Sequence, residues 1–246
     1  MVTRKATLGT RWASVMDVAE SLRQARNNRQ TQRRLLDELE GKVERRRADI
    51  RSSLADLPAS QQSSLVSRAA SGFLGELRRG TADTRVNHVR KGSLFAANAA
   101  AVPAHYRSPT QMLARYSLGS ERRSRVLQQI SASGPAELEA LADLAAATRD
   151  MELAAALCSR IYELPSEKRS FSPQELADVL LGEEFRTVTR SLMEIERLAE
   201  EALADDSAFE TGRKNEHRAL NIAMMRRAEE AIGTALEQPE ITQPEN

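Results

Sequence analysis

The chain has 246 residues, of which 41% are hydrophobic, 29% are charged and only 4% are aromatic. Alanine and leucine dominate the apolar content, which favours closely packed helices over strands, so we predict an all-α fold. The longest apolar stretch, residues 94–102, is too short to cross a bilayer, and the first residues do not resemble a secretory signal peptide. We therefore expect no membrane span and a location in the cytoplasm or inside a particle assembled there.

The formal net charge of +1 conceals a strong asymmetry along the chain. Residues 1–133 carry 24 Lys and Arg against 11 Asp and Glu, whereas residues 134–246 carry 12 against 24. A basic half can bind a polyanion, and an acidic half can bind a basic neighbour, including a second copy of the chain. We expect the two halves to meet in the assembled state, within one chain or between neighbouring chains.

Residues 1–57 are predicted to contain a long basic amphipathic helix, which covers residues 11–57. At 1.5 Å per residue, a helix of about 47 residues reaches about 70 Å, which is longer than a bundle of this size covers. We therefore expect part of its apolar seam to face another chain, as in a coiled coil, or the helix to fold back at Gly41. Arg29 and Gln32 interrupt this seam. The predicted oligomer seam consists of Leu36, Leu39, Val43, Ile50 and Leu54.

Residues 58–133 form a second region, which is basic and helical. We predict a helix that is capped by Ser60 and runs to about Arg79, where Gly80 ends it. A short basic helix follows over about 81–91, and further short helices start at Ser108 and Ser120. The candidate phosphate contacts of the basic half are Arg45, Arg46, Arg47, Arg122, Arg123 and Arg125. Because few acidic residues lie within residues 58–133, the positive charge of this region needs a partner elsewhere. For the first helix, pairing with glutamates one turn away is the alternative.

Residues 134–237 are predicted to form an acidic bundle of short antiparallel helices, followed by a flexible tail over residues 238–246. Helix starts are expected at Gly134–Pro135, at Asp150 and at Ser172–Pro173. Beyond residue 172 the predicted helices cover 173–181, 184–204 and 213–236, with breaks at Gly182 and at the polar segment 205–212. The last helix has one apolar stripe, formed by Leu220, Met224, Ala228, Ala231 and Ala235.

The segment from Ser172 to Leu192 contains the most specific local pattern of the chain. It reads Ser-Pro-Gln-Glu-Leu-Ala over residues 172–177, then Gly182, then Val188 and Leu192. This arrangement resembles the helix-turn-helix unit of bacterial regulators. The resemblance implies a DNA-reading helix whose exposed face holds Arg186, Thr187 and Arg190. The alternative is an ordinary helical hairpin.

Residues that could support catalysis or bind a cofactor show no recognisable arrangement. His88, His105 and His217 form no metal-binding spacing with Cys158, which lies on an apolar helix and is expected to be a buried small side chain. The sequence has no phosphate-binding loop, dinucleotide fingerprint or nucleophile elbow. We therefore expect no catalytic residue, no metal site and no cofactor.

These observations together favour a non-enzymatic structural or assembly protein that forms a homo-oligomer or joins other assembly subunits. The helical, motif-poor, Ala- and Arg-rich and charge-polarised character resembles internal, connector or scaffold-type components of bacteriophage particles. Two alternatives are open: a sequence-nonspecific nucleic-acid-binding protein that uses the basic half, and a helix-turn-helix regulator that uses residues 172–192.

Overall fold

The computed structural model describes residues 13–104 and 106–237, which form eight α-helices joined by short loops and 3₁₀ turns. The helices are α1 (Val15–Ser53), α2 (Ala59–Ala100), α3 (Pro109–Arg115), α4 (Glu121–Gln129), α5 (Pro135–Thr148), α6 (Met151–Glu163), α7 (Pro173–Thr211) and α8 (Glu216–Glu237). These described residues contain no strand, so the predicted all-α class is confirmed.

Local capping signals set several of the helix starts that the sequence predicts. The side chains of Ser108, Ser120 and Asp150 each accept a hydrogen bond from the backbone N–H three residues later. Such bonds satisfy backbone donors that have no partner in the first turn of a helix. Pro109 and Pro135 occupy the first helical positions of α3 and α5, where the missing N–H of proline has no cost.

The predicted breaks inside α2 and α7 are wrong, and the alternative that α1 folds back at Gly41 is excluded. Helix α1 continues through Gly41, α2 through Gly80, and α7 through Gly182 and most of the polar segment 205–212. A glycine inside a helix costs only about 1 kcal/mol relative to alanine. Burial of one large apolar side chain contributes about 1.5–3 kcal/mol, so packing on either side outweighs that cost. The chain turns instead at Gly212, whose φ of 72° lies in the left-handed region that glycine adopts readily.

The chain divides into two compact units, each built from segments that are far apart in the sequence. Of the described residues, unit 1 contains 13–16, Ala101–Ser191 and 230–237, and unit 2 contains Asp17–Ala100 and Leu192–Glu229. The predicted segments follow sequence order, whereas each unit takes residues from both the basic and the acidic half. The tail 238–246, predicted to be flexible, lies outside the described residues.

Unit 1 is organised around helix α6, whose side chains form the centre of its core. The buried residues of α6 are Ala154, Ala155, Ala156, Leu157, Cys158 and Ile161. Leu113 of α3, Leu138 of α5 and Leu180 of α7 belong to the same core. Because three of the six buried α6 side chains are alanine, neighbouring helices have room to pack close to its backbone, as the composition predicts.

Unit 2 consists of α1, α2, the second part of α7 and the first part of α8. Leu36 and Leu39 of α1 form a core with Phe209 of α7, and Leu74 and Leu77 of α2 pack against it. The buried positions of α1 follow one another in steps of three and four residues, as in a coiled coil. They are Val18, Leu22, Ala25, Arg29, Gln32, Leu36, Leu39 and Val43.

Cross-helix contacts define the directions of the helices in unit 2. Residue numbers increase in the same direction along α1 and α7, from the pair Arg26–Glu194 to the pair Arg29–Asp205, so these two helices are parallel. Helices α2 and α8 run antiparallel to α7, as the pairs Arg85–Asp206, Gly92–Ala199, Arg197–Glu229 and Arg226–Glu201 indicate. At Gly92 a β-carbon would lie 3.6 Å from the Cα of Ala199, which is an ordinary van der Waals distance, so α2 and α7 are in direct contact here.

The predicted oligomer seam of α1 is covered within the chain over most of its length. Leu36, Leu39 and Val43 are buried, whereas Ile50 and Leu54 are half-buried. Helix α2 has 42 residues and α1 has 39, so α2 is long enough to accompany α1. The prediction that the seam must face another chain or fold back at Gly41 is therefore wrong for Leu36, Leu39 and Val43. Contact with another chain through Ile50 and Leu54 stays a prediction.

Candidate interaction surfaces

The opposite charges of the two halves of the sequence meet inside each unit. In unit 2, arginines of α1 and α2 pair with acidic residues of α7, and in unit 1 Arg122 pairs with acidic residues at the start of α6. The pairs are Arg26–Glu194 (2.6 Å), Arg29–Asp205, Arg85–Asp206 (2.6 Å), Arg85–Glu210 (2.6 Å), Arg122–Asp150 and Arg122–Glu152 (3.0 Å). The expectation that the charge halves meet is thus confirmed within one chain.

Arg29 and Gln32, which interrupt the seam of α1, form a buried polar layer in unit 2. The amide of Gln32 donates to the backbone carbonyl of Ala202 at 2.9 Å, and Arg29 pairs with Asp205 and lies 3.7 Å from a carboxylate oxygen of Glu201. A polar layer in a helical core weakens apolar packing but favours a single register. Here its partners belong to the same chain, so it defines the register of α1 on α7.

A second ion network connects α7 to α8. The guanidinium of Arg197 lies 2.7 Å from carboxylate oxygens of both Glu201 and Glu229, and Arg226 donates to Glu201 at 2.6 Å. Burial raises the pKa of Glu201, but hydrogen bonds from Arg226 and Arg197 outweigh it, so the pKa lies below its ordinary value. Glu201 is therefore ionised at neutral pH and stabilises the attachment of α8.

Arg85 is the most deeply buried arginine described, with 3% of its surface exposed. Its guanidinium bonds to Asp206 and Glu210 and to the backbone carbonyl of Arg78, and it lies 5.0 Å from the ring centroid of Phe209. Arg85 belongs to the segment that the sequence predicts to be a short basic helix. The sequence contains the acidic partners Asp206 and Glu210, but only the fold shows that they face α2.

The candidate phosphate contacts of the basic half lie in different environments. Arg45, Arg46 and Arg125 are exposed and accessible to a phosphate. Arg47 pairs at 2.5 Å with a glutamate one turn earlier, and Arg122 pairs with two acidic residues of unit 1. Nucleic-acid binding through the exposed side chains stays a prediction.

Arg123 is not available for a phosphate, because it is 8% exposed and bonded within unit 1. Its Nη1 donates to the carbonyls of Ala114 and Tyr116 at 2.9 and 2.7 Å, and its Nη2 donates to the hydroxyl of Ser159 at 2.9 Å. These carbonyls lie at the end of α3, where helical acceptors have no intrahelical partner. Arg123 therefore caps α3, and its assignment as a phosphate contact is wrong.

The helix-turn-helix interpretation is also wrong, because α7 runs without a turn through Gly182. The guanidinium of Arg186 lies over Gly182, where a β-carbon would be 3.3 Å from Nη1, and Arg186 is half-buried. The guanidinium of Arg190 covers Gly233 of α8 in the same way, with Nη1 at 3.1 Å. Thr187 and Arg190 are exposed, but α7 has no turn between Ser172 and Leu192, so these positions are not part of a helix-turn-helix unit.

A cleft of about 520 Å³ opens in unit 1 at the junction of α3, α4, α5 and α6. Tyr116 and Leu144 line it while 45% and 50% exposed, and Leu118, next to it in sequence, is 68% exposed. Ser117 and Arg149, which also line the cleft, adopt positive φ angles of 54° and 52°. Exposed tyrosine and arginine side chains around a concavity are typical of protein-binding sites.

A second cleft, of about 550 Å³, lies in unit 2 near the turn between α7 and α8. Leu36, Val43, Leu74 and Phe209 form its apolar floor. Its rim contains side chains of both signs, namely Arg33, Asp37, Glu40, Glu44, Arg47, Arg78, Asp205, Arg213 and Lys214. Because five basic and four acidic side chains line it, this cleft has no charge preference that would identify a ligand.

Helix α8 has its apolar stripe on the solvent side. Leu220 and Met224 are 59% and 62% exposed, and Ala228 and Ala231 of the same stripe are exposed too. A surface helix usually directs its apolar stripe at the core. In α8 the opposite face is directed inward, because Arg226 and the buried Glu229 of that face make the ion pairs to α7.

The cysteine and the described histidines do not form a reactive site. Cys158 is buried, as expected, and burial raises the pKa of its thiol to about 12, so the thiol is protonated and unreactive at neutral pH. His88 packs between α1 and α2, with Nδ1 2.9 Å from the side-chain oxygen of Asn28, and burial lowers its pKa. His217 is exposed, and His105 lies outside the described residues.

Comparison with known protein families, curated proteins and solved structures found no match to this chain. None of the described helices combines the length and the apolar character that crossing a bilayer requires. Residues 13–104 and 106–237 also contain no group of three or more His, Cys, Asp or Glu placed to bind a metal ion. The chain is a two-unit all-α protein, and its surfaces provide the basis for a functional proposal.

Proposed function

We propose that the protein is a non-enzymatic structural component of a larger homo- or hetero-oligomeric assembly. One observation supports this most strongly: large apolar side chains are grouped at the surface of both units. In unit 1 they are Tyr116, Leu118 and Leu144 around the cleft, and in unit 2 they are Leu220 and Met224 on α8. Contiguous apolar surface that is exposed to water usually marks a binding site for another protein.

The internal charge pairing supports the same proposal over nucleic-acid binding. Arginines that give the first half of the sequence its positive charge are partly neutralised by acids of the same chain, which reduces the field available to a polyanion. The compositional resemblance to internal, connector or scaffold-type components of bacteriophage particles belongs to the same proposal and adds one kind of assembly to it.

Light scattering coupled to size-exclusion chromatography tests the proposal, at several concentrations and after purification from the native source. We expect a mass well above the 27.2 kDa of one chain, or a partner that co-purifies in fixed stoichiometry. Leu144→Asp and Leu220→Asp should each weaken one assembly contact, and Val179→Asp, at another residue that is 65% exposed, serves as the matched control. A protein that is monomeric at every concentration and has no stoichiometric partner would contradict the proposal.

A further inference from the structure

The outer face of α8 combines two apolar side chains with one charge at each end. Glu216, Leu220, Met224 and Arg227 follow one another at spacings of four, four and three residues, so they lie along one face of the helix. All four side chains are exposed. Within the described part of the chain the side chains of Glu216 and Arg227 make no hydrogen bond and no ion pair. We refer to these four residues as the outer face of α8.

This face cannot turn inward while α8 keeps its ion pairs. The opposite edge of the helix bonds to α7 through Arg226 with Glu201 at 2.6 Å, through Glu229 with Arg197 at 2.7 Å and through Arg218 with Glu200 at 3.5 Å. Rotation that buried Leu220 and Met224 would expose the buried carboxylate of Glu229 and break these pairs. The outer face is therefore directed at solvent by the fold and is free to contact another molecule.

We propose that a second copy of this chain binds the outer face, with the two α8 helices antiparallel about a two-fold axis. The order of the four residues is the reason. Reversing the helix direction exchanges Leu220 with Met224 and Glu216 with Arg227, so the face is complementary to itself. A symmetric pair uses the same patch on both copies, which requires this kind of self-complementarity.

The axial positions agree with this pairing. If the two-fold axis passes level with residue 222, Leu220 and Met224 lie about 3 Å on either side of it at 1.5 Å per residue. Glu216 then lies about 9 Å to one side and Arg227 about 7.5 Å to the other, so each glutamate is within about 1.5 Å of the level of the opposite arginine. A parallel pair would instead place Glu216 beside Glu216 and Arg227 beside Arg227, which is repulsive.

This inference deepens the proposed function, on which it rests, by naming the partner and its contacts. One helix per copy buries less surface than the roughly 1,600 Å² of a standard interface. We therefore expect a weak dimer that forms reversibly as the concentration rises, and its ion pairs should weaken as salt is added because they are exposed.

Sedimentation equilibrium between about 5 and 500 µM tests the pairing through charge exchange on the full-length chain. Glu216→Arg and Arg227→Glu each create like-charge contacts at both ends of a symmetric pair, so each should raise the dissociation constant about tenfold. The double variant E216R/R227E restores opposite charges and should return to within about threefold of the wild-type value. Met224→Asp should abolish the dimer, and Val179→Asp on α7 should leave it unchanged.

Several results would overturn the pairing. Wild-type protein that is monomeric up to 500 µM, single variants without effect, or a double variant that stays as weak as the singles would each refute it. If an oligomer persists in Met224→Asp, this inference fails while the proposed assembly function stands. If no oligomer and no stoichiometric partner exists under any condition, both fail. Circular dichroism of each variant checks that the exposed substitutions leave the helices intact.

Discussion

Replacement of Arg85 by leucine should destabilise unit 2 strongly, although arginine is a surface residue in most proteins. The variant leaves the carboxylate of Asp206, only 17% exposed, without its partner. Loss of a hydrogen bond between charged groups at such a site costs about 1.5–3 kcal/mol. Glu210 is 53% exposed, so its pair adds less than about 1 kcal/mol. The ring of Phe209, 5.0 Å from the guanidinium, adds about 0.5–1 kcal/mol.

The net loss should be about 3 kcal/mol, because the buried leucine recovers part of the sum through apolar contact. Urea titration followed by circular dichroism at 222 nm measures it, and hydrogen–deuterium exchange in α2 and α7 assigns it to unit 2. Arg90→Leu, at an exposed position of the same helix, is the matched control and should change the free energy of unfolding by no more than about 0.5 kcal/mol.

A double-mutant cycle identifies where this energy resides. Combining Arg85→Leu with Asp206→Leu removes the unpaired carboxylate. The double variant should therefore lose about 2 kcal/mol less stability than the two single variants lose together. A loss below about 1 kcal/mol for Arg85→Leu, or a cycle without coupling, would refute the assignment of Arg85 as a buried ion-pair centre.

Three further predictions concern pH, the thiol and nucleic acid. The pKa of Glu201 is lowered in the folded state, so its contribution to stability is complete above the unfolded pKa of about 4.3 and is lost as the pH falls through the folded pKa. The free energy of unfolding should therefore fall in acid, and it should fall less steeply in Glu201→Gln. Cys158, with its pKa raised to about 12, should react with a thiol reagent at pH 8 only after unfolding in urea, and rapid labelling of the native protein would contradict its burial. If the basic half binds nucleic acid, its affinity, measured by fluorescence anisotropy, should fall steeply as salt is added. Replacing Arg45, Arg46 and Arg125 by glutamate should lower the affinity for all sequences alike.

Features that depend on neighbouring residues could be predicted from the sequence. Ser108, Ser120 and Asp150 cap the helices they were expected to start, because a cap acts within one turn. The helical composition likewise gave the fold class. In contrast, continuity through Gly41 and Gly182 could not be read locally, since it depends on core partners that lie far away in the sequence and outweigh the local cost of glycine.

The interaction surfaces were harder to predict, because they depend on which side chains the fold buries and which it leaves at the surface. Arg123 reads as one more basic residue of a cluster, yet it caps α3 through contacts that only the packed unit provides. The stripe of Leu220 and Met224 reads as a buried face. It lies outside because Glu229 forms a buried ion pair with Arg197, and a pattern of apolar residues contains no information about that pair.

The discontinuity of unit 2 has a consequence for the order in which the chain folds during synthesis. The core of unit 1 lies within Ala101–Ser191, a single stretch of sequence, so it can pack as soon as that stretch leaves the ribosome. Arg85, by contrast, is made 121 residues before Asp206, a delay of about 6–24 s at 5–20 residues per second. During that interval Arg85 and Arg29 are hydrated cations on the nascent α1–α2 segment, which keeps this future core surface compatible with water until α7 arrives.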